Sequence, residues 1–145
     1  MSVPGALAGG TAWFLYETTT AALPQWSWRR ELATVLEEVP SPTWSADDVV
    51  LVAGELVANA VEHGGGAHRL RVTGTQLGVL VEVRDPAEDG PKPQPQPVSL
   101  ESERGRGLSI VGALADEWGW RPEPPDGKAV WARIGQIDDE RGDAA

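Results

Sequence analysis

The chain has 145 residues, the size of a single domain at roughly 100–200 residues per domain, and large enough to fold without a disulfide or metal staple. Twelve lysines and arginines stand against 22 aspartates and glutamates, a net charge of −10, which disfavours wrapping bare nucleic acid or an anionic membrane surface because the phosphate term opposes it. Cysteine is absent, excluding disulfides, thiolate catalysis and cysteine-held zinc or iron–sulfur centres.

No apolar run approaches the ~20 residues of a membrane span; the longest is Val49-Val50-Leu51-Val52-Ala53. The first positive side chain is Arg29, so the charged start of a signal peptide is missing. The expectation is a soluble, cytoplasmic protein.

Residues 1–10 are small and without period, and read as a flexible start. From Thr11 to Thr20, Trp13, Phe14, Leu15 and Tyr16 among threonines predict a strand. Pro24 opens a helix to about Val39, with Leu32, Val35, Leu36 and Val39 at three- and four-residue spacing. Pro40-Ser41-Pro42 ends it. Ser45 with Asp48 is an S-x-x-D cap ahead of a second helix, expected from Ala46 to His63 and stopped by Gly64-Gly65-Gly66. Two strands follow, Arg69–Gly74 and Val79–Arg84, the latter alternating Val79, Val81 and Val83 with Leu80, Glu82 and Arg84.

Five of the twelve prolines fall between Pro86 and Pro97, so residues 86–104 form neither helix nor central strand. The segment reads equally as a plain surface loop or as a lid. Gly105-Arg106-Gly107 then precedes a helix from Leu108 to about Glu117, a strand near Trp118–Arg121, a Pro-rich turn and a last strand Ala129–Ile134. Residues 136–145 are an acidic tail. The folded domain is thus expected over residues 11–135.

Three places carry potential chemistry. On the second helix Glu55, Asn59 and His63 lie at i, i+4 and i+8, one stripe beside Val52, Leu56 and Ala60. An amide oxygen there suits a hard cation, and a carboxylate one turn away suits polarising a hydroxyl; the ordinary alternative is the polar border of an amphipathic helix. Asp85 ends an apolar strand, either as a turn-forming carboxylate or as an acceptor for an exocyclic amine. Gly105-Arg106-Gly107-Leu108 opens a helix whose free amides favour phosphate, and Arg104 and Arg106 add positive charge where an anion would dock. Neither the dinucleotide fingerprint nor a G-x-x-x-x-G-K-[ST] loop is present, since Gly127-Lys128 runs into Ala129. No nucleophile-elbow sequence supports a Ser-His-Asp triad. The seven tryptophans, scattered over different elements, read mainly as packing.

An E-x-x-x-N helix, a strand ending in Asp, a long variable loop and a G-x-G helix start, in this order, resemble the GHKL (Bergerat) ATP-binding family of sensor histidine kinases, gyrase and mismatch-repair ATPases. The short layout most resembles the anti-sigma-factor serine/threonine kinases of the RsbW type. The resemblance spans roughly residues 11–135. Its most specific part is Glu55-Leu56-Val57-Ala58-Asn59-Ala60-Val61-Glu62-His63-Gly64, similar to the family's N-box, and Gly105–Val111 is similar to its second glycine box.

The resemblance implies a two-layer α+β sandwich with a mixed, mostly antiparallel sheet and three helices on one face. It implies ATP and Mg2+ as cofactors: Asn59 holding magnesium, Glu55 as general base on a partner's serine, Asp85 on the adenine amine. Gly105, Gly107 and Leu108 would line the phosphates with Arg104 and Arg106 beside them, His63 and Gly64 would border the pocket, and residues 86–104 would be the ATP lid. Implied partners are an anti-sigma antagonist of the STAS type, a sigma factor, and a second copy in a homodimer, with no nucleic acid or membrane contact. The alternative is a GHKL interaction module that regulates its partner without phosphoryl transfer; ATP hydrolysis without a protein acceptor ranks last.

Two positions depart from the family pattern. The family's D-x-G-x-G is here Asp85-Pro86-Ala87-Glu88-Asp89-Gly90, and its Gly-Thr near the last strand is Gly127-Lys128. Lys128 therefore joins the nucleotide-binding set where the family favours a hydroxyl.

Overall fold

The computed structural model describes residues 13–19, 25–87, 103–125 and 127–137. Along them run β1 (Trp13–Thr18), α1 (Gln25–Glu37), α2 (Ala46–His63), β2 (Arg69–Gly74), β3 (Gly78–Asp85), α3 (Glu103–Leu114), β4 (Glu117–Pro122) and β5 (Lys128–Gly135). The expected flexible start, most of the expected lid (88–102) and most of the acidic tail (138–145) lie outside the described residues.

The strands form one sheet in the order β1-β2-β3-β5-β4, and all four pairings are antiparallel. The mostly antiparallel sheet and the three helices expected from sequence are both present, with no parallel pair among the described residues. Strand side chains alternate between faces. On β3 the odd positions Val79, Val81 and Val83 are fully buried, as are Leu70 and Val72 of β2 and Val130 and Ala132 of β5. This is the helix-facing side. The register Val83↔Val130 and Asp85↔Lys128 places Asp85 and Lys128 at the end of the same buried rows. That position governs the candidate site.

Helix α2 forms because its sequence satisfies both ends and one face. Ser45 is the N-cap, its side chain accepting from the Asp48 amide at 3.3 Å, and Asp47 and Asp48 put negative charge in the first turn, where the helix dipole favours it. Val49, Val52, Ala53, Leu56, Val57 and Ala60 are buried, the i, i+3, i+4 stripe of a core-facing helix. Gly54 leaves room for the Arg29 side chain of α1: a Cβ there would stand 2.5 Å from its guanidinium nitrogens. At the other end the Gly64 and Gly66 amides both donate to the Ala60 carbonyl, at 2.9 and 3.0 Å.

The short connection between α1 and α2 is pinned to the β2–β3 turn. Trp44 is buried and its indole N–H donates to the Thr75 carbonyl at 2.9 Å. The Thr43 amide donates to the Gln76 carbonyl at 2.8 Å, and the Gln76 amide nitrogen returns a bond to the Pro40 carbonyl at 2.8 Å. This clamp sets where α2 begins above the sheet. Trp28 is fully buried in α1, and Trp118 packs against the core, in keeping with tryptophans used for packing. Trp120 on edge strand β4 stays 42% exposed.

Helix α3 differs from the expectation at both ends. It starts at Glu103 and stops at Leu114, so Gly105-Arg106-Gly107 lies inside its first turns rather than ahead of it, and residues 103–104 belong to helix rather than lid. Two glycines at about 1 kcal/mol each do not outweigh the packing of α3 on α2. The C-terminal end is set by β4, which begins at Glu117 and takes the chain into the sheet.

Candidate functional site

The site is built where α2 ends over the ends of β3 and β5. Glu55 and Asn59 are both half-buried on α2, and His63 is exposed at its last residue. Val52, Leu56 and Ala60 beside them are buried, so the carboxylate and the amide run along the margin of the buried face, as the spacing predicts. His63 Nε2 lies 3.8 Å from the exposed Glu62 carboxylate, a solvent-side arrangement. Asn59 precedes Gly64 by five residues, about 7.5 Å along the helix axis at 1.5 Å per residue.

Asp85 is fully buried, and it is charged-group chemistry inside the core. Its Oδ1 accepts from Lys128 Nζ at 2.8 Å and from the Ala87 amide at 2.9 Å. Lys128 is itself only 2% exposed. Among the described residues the buried Oδ2 has no hydrogen-bond partner, a state that costs roughly 1–3 kcal/mol.

Two glycines make this carboxylate possible. A Cβ on Gly64 would stand 2.5 Å from Asp85 Cγ and 2.6 Å from Oδ2. A Cβ on Gly127 would meet the Asp85 carbonyl oxygen, and Gly127 has φ +102°, a left-handed conformation that favours glycine. The Ala87 bond is the two-residue Asx turn that aspartate commonly makes at a strand end, so the turn-forming role foreseen for Asp85 is present.

The structure thus brings Gly64, Asp85 and Lys128 together, with Glu55 and Asn59 on the helix that delivers Gly64. The backbone of α3, with Arg104, Gly105, Arg106, Gly107 and Leu108 in its first turns, belongs to a helix that packs chiefly on α2. The Asp85–Lys128 ion pair was not foreseen from sequence. A signal existed: if the last two strands before the prolines and the tail pair antiparallel, Asp85 and Lys128 fall opposite each other.

The donor set fits a magnesium–nucleotide. Among the described residues no three His, Cys, Asp or Glu side chains gather to hold a metal by themselves. Magnesium coordinates through one or two protein oxygens and the substrate's phosphates, and the half-buried Asn59 amide oxygen would supply one such ligand. The buried Oδ2 of Asp85 keeps acceptor capacity that no group among the described residues uses.

The opposite face of the sheet carries a separate cavity of about 290 Å3, where Arg69, Arg71, Arg84 and Arg121 surround Ala129. Each arginine has a carboxylate partner: Glu17 for Arg69 and Arg71, Glu123 for Arg84, and Glu82 and Glu123 for Arg121, the Glu82 contact being 2.6 Å. This is an ion-pair network on the open sheet face, away from α2. No helix among the described residues is long and apolar enough to cross a membrane.

No curated protein matches the chain. The model of the histidine kinase-like ATPase domain matches residues 17–134, which takes in every element from the end of β1 to β5. With the sheet order, the three helices on one face and the N-box-like α2 in place, the chain belongs to the histidine kinase-like ATPase domain family.

Proposed function

We propose that this protein binds Mg-ATP between α2 and α3 and transfers the γ-phosphoryl group to a serine or threonine of a partner protein, an anti-sigma antagonist of the STAS type, so that a sigma factor is regulated. The observation that carries the reading is the half-buried Glu55–Asn59 stripe on α2 of a histidine kinase-like ATPase domain. Asn59 would hold the magnesium, whose charge offsets that of the phosphates. Glu55 accepts the hydroxyl proton as the serine oxygen bonds to the γ-phosphorus and the bond to the β–γ bridging oxygen breaks, releasing ADP. Asp85 receives the base, His63 and Gly64 border the pocket, and Arg104, Gly105, Arg106, Gly107 and Leu108 serve the phosphate side. The segment from residue 86 to the start of α3 at Glu103 acts as the lid.

The test is a reconstituted mixture of the protein, Mg-ATP and a STAS-type antagonist, scored for phosphoserine or phosphothreonine on the antagonist. Phosphate on the antagonist that depends on Glu55 supports the kinase; its absence at saturating ATP removes the transferase and leaves the interaction module. One observation favours that second reading, namely that the Asp85 carboxylate is already engaged by Lys128 while Pro86 stands where a glycine-bearing loop would begin.

A further inference from the structure

The Asp85–Lys128 pair alters what the base end of the site selects, an inference that rests on the nucleotide-site reading above. A lone buried carboxylate is a pure acceptor. It selects a base edge that presents N–H groups and rejects a carbonyl, because two acceptors then face each other with neither satisfied. Purines differ on this point: adenine carries an amine where guanine carries a carbonyl, the O6 acceptor.

Here the acceptor does not stand alone. Lys128 Nζ is 2.8 Å from Asp85 Oδ1, and both side chains are more than nine-tenths buried. An ammonium has three N–H donors, of which this bond uses one, while the other carboxylate oxygen, Oδ2, has no partner among the described residues. The pair therefore presents donors and one acceptor side by side with no net charge. Adenine's amine meets Oδ2, and its neighbouring ring nitrogen accepts from the ammonium. A 6-carbonyl meets the ammonium, a pairing that lysine makes readily with guanine O6, and the neighbouring ring N–H meets Oδ2. Either purine gives Oδ2 a donor and the ammonium an acceptor, so the penalty that would separate them is gone.

The cradle keeps this arrangement in place. Gly64 packs against the carboxylate group with no room for a Cβ, and the Ala87 amide holds Oδ1 at 2.9 Å. The carboxylate is not free to swing away from Lys128, and Lys128 starts β5 directly opposite Asp85.

We propose that Lys128 is a specificity-determining residue that removes the adenine preference of the base pocket, so that purine nucleoside triphosphates with a 6-carbonyl are accepted alongside ATP. The experiment displaces a ribose-labelled fluorescent ADP from the full chain with Mg-ATP and with Mg-GTP, in the wild type and in Lys128→Thr. The expected wild-type Kd values agree within about threefold, and Lys128→Thr raises the GTP-to-ATP Kd ratio by about tenfold or more, the size of one good base contact. A wild-type preference for ATP of about tenfold or more overturns the proposal, as does a ratio that Lys128→Thr leaves unmoved. Should Lys128→Thr fail to fold, Lys128→Gln, of similar length and without charge, replaces it, and the wild-type ratio decides by itself. Binding of ATP without GTP removes this inference alone. Binding of neither removes the nucleotide site and this inference together.

Discussion

Gly64 and Asp85 meet where α2 and β3 both end, so closely that a Cβ on residue 64 would lie 2.5 Å from the Asp85 Cγ. The contact joins the two layers at the candidate site. The helix closes on the carboxylate, and the carboxylate is fixed from below by Lys128 and from the side by the Ala87 amide.

Gly64→Ala is therefore expected to destabilise the fold. Gly64 itself has φ −103°, so the cost is steric rather than a matter of backbone preference. The obstructing atoms belong to a buried ion pair rather than to the end of a mobile side chain, and relief requires α2 to lift. Overpacking of this kind costs about 1–3 kcal/mol. Thermal melts of wild type and Gly64→Ala measure it, with Gly66→Ala as the contrast: no heavy atom lies within 4 Å of a Cβ there, but φ +122° strains any other residue. A Gly64→Ala protein as stable as wild type would show that the two layers can part at this point.

Much of the scaffold was legible in the sequence. Helix α2 runs from Ala46 to His63 and β2 from Arg69 to Gly74, the bounds that Ser45, the valine period and the three glycines predict, because cap, pattern and stop agree there. Helix α3 starts five residues before Leu108, at Glu103: two glycines resemble a break in the sequence, whereas tertiary packing on α2 carries the helix through them. Along α2, periodicity alone put Glu55 and Asn59 at the border of the buried face. The Asp85–Lys128 pair escaped because it depends on strand register across 43 residues, and no local pattern states which residue of β5 will face the end of β3.

That pair should behave as a unit. Asp85→Ala leaves an ammonium buried in the core, and Lys128→Met leaves a carboxylate there; removing one partner of a buried pair costs about 3–5 kcal/mol. The double variant Asp85→Leu/Lys128→Met removes both charges at similar volume and is expected to lose far less than the sum of the single losses. Urea unfolding of the four proteins gives the coupling. Additive losses would mean that the two groups are each stabilised by something other than the other.

Tyr16, the only tyrosine of the chain, gives a pH-dependent prediction. Its side chain is on the helix-facing side of β1, buried, and its hydroxyl donates to Glu31 Oε1 of α1 at 2.6 Å. Burial first, then the hydrogen bond and negative charge of Glu31, push its pKa well above the usual phenol value. The folded state thus keeps a proton that the unfolded chain releases near pH 10. This contribution to stability is fully present below pH ~10 and falls as pH rises above it, by up to about 1.4 kcal/mol per pH unit while the folded phenol stays protonated. Tyr16→Phe loses a hydrogen bond to a charged group, costing about 1.5–3 kcal/mol at neutral pH, and should lose this alkaline slope. Stability curves of both proteins from pH 8 to pH 12 (roughly two pH units either side of the free phenol's pKa) check it, and parallel curves above pH ~10 would count against a protonated Tyr16 in the fold.

Glu55 and Asn59 share one helical stripe and are assigned different tasks, so their substitutions should separate. Glu55→Ala removes the group that takes the hydroxyl proton and leaves the nucleotide contacts in place; transfer to the antagonist should fall by about 10²–10⁴-fold with Mg-ATP affinity nearly unchanged. Asn59→Ala removes the amide oxygen assigned to magnesium, and Mg-ATP binding itself should weaken by about tenfold or more. Both residues are only half-buried, and alanine suits a helix interior, so neither change should cost much of the fold. Titration calorimetry for binding and phosphate incorporation for transfer read the two effects independently. Loss of binding in Glu55→Ala would move that carboxylate into the nucleotide site proper, and turnover retained in it would end its assignment as the base. Unaltered binding in Asn59→Ala would take the magnesium off α2.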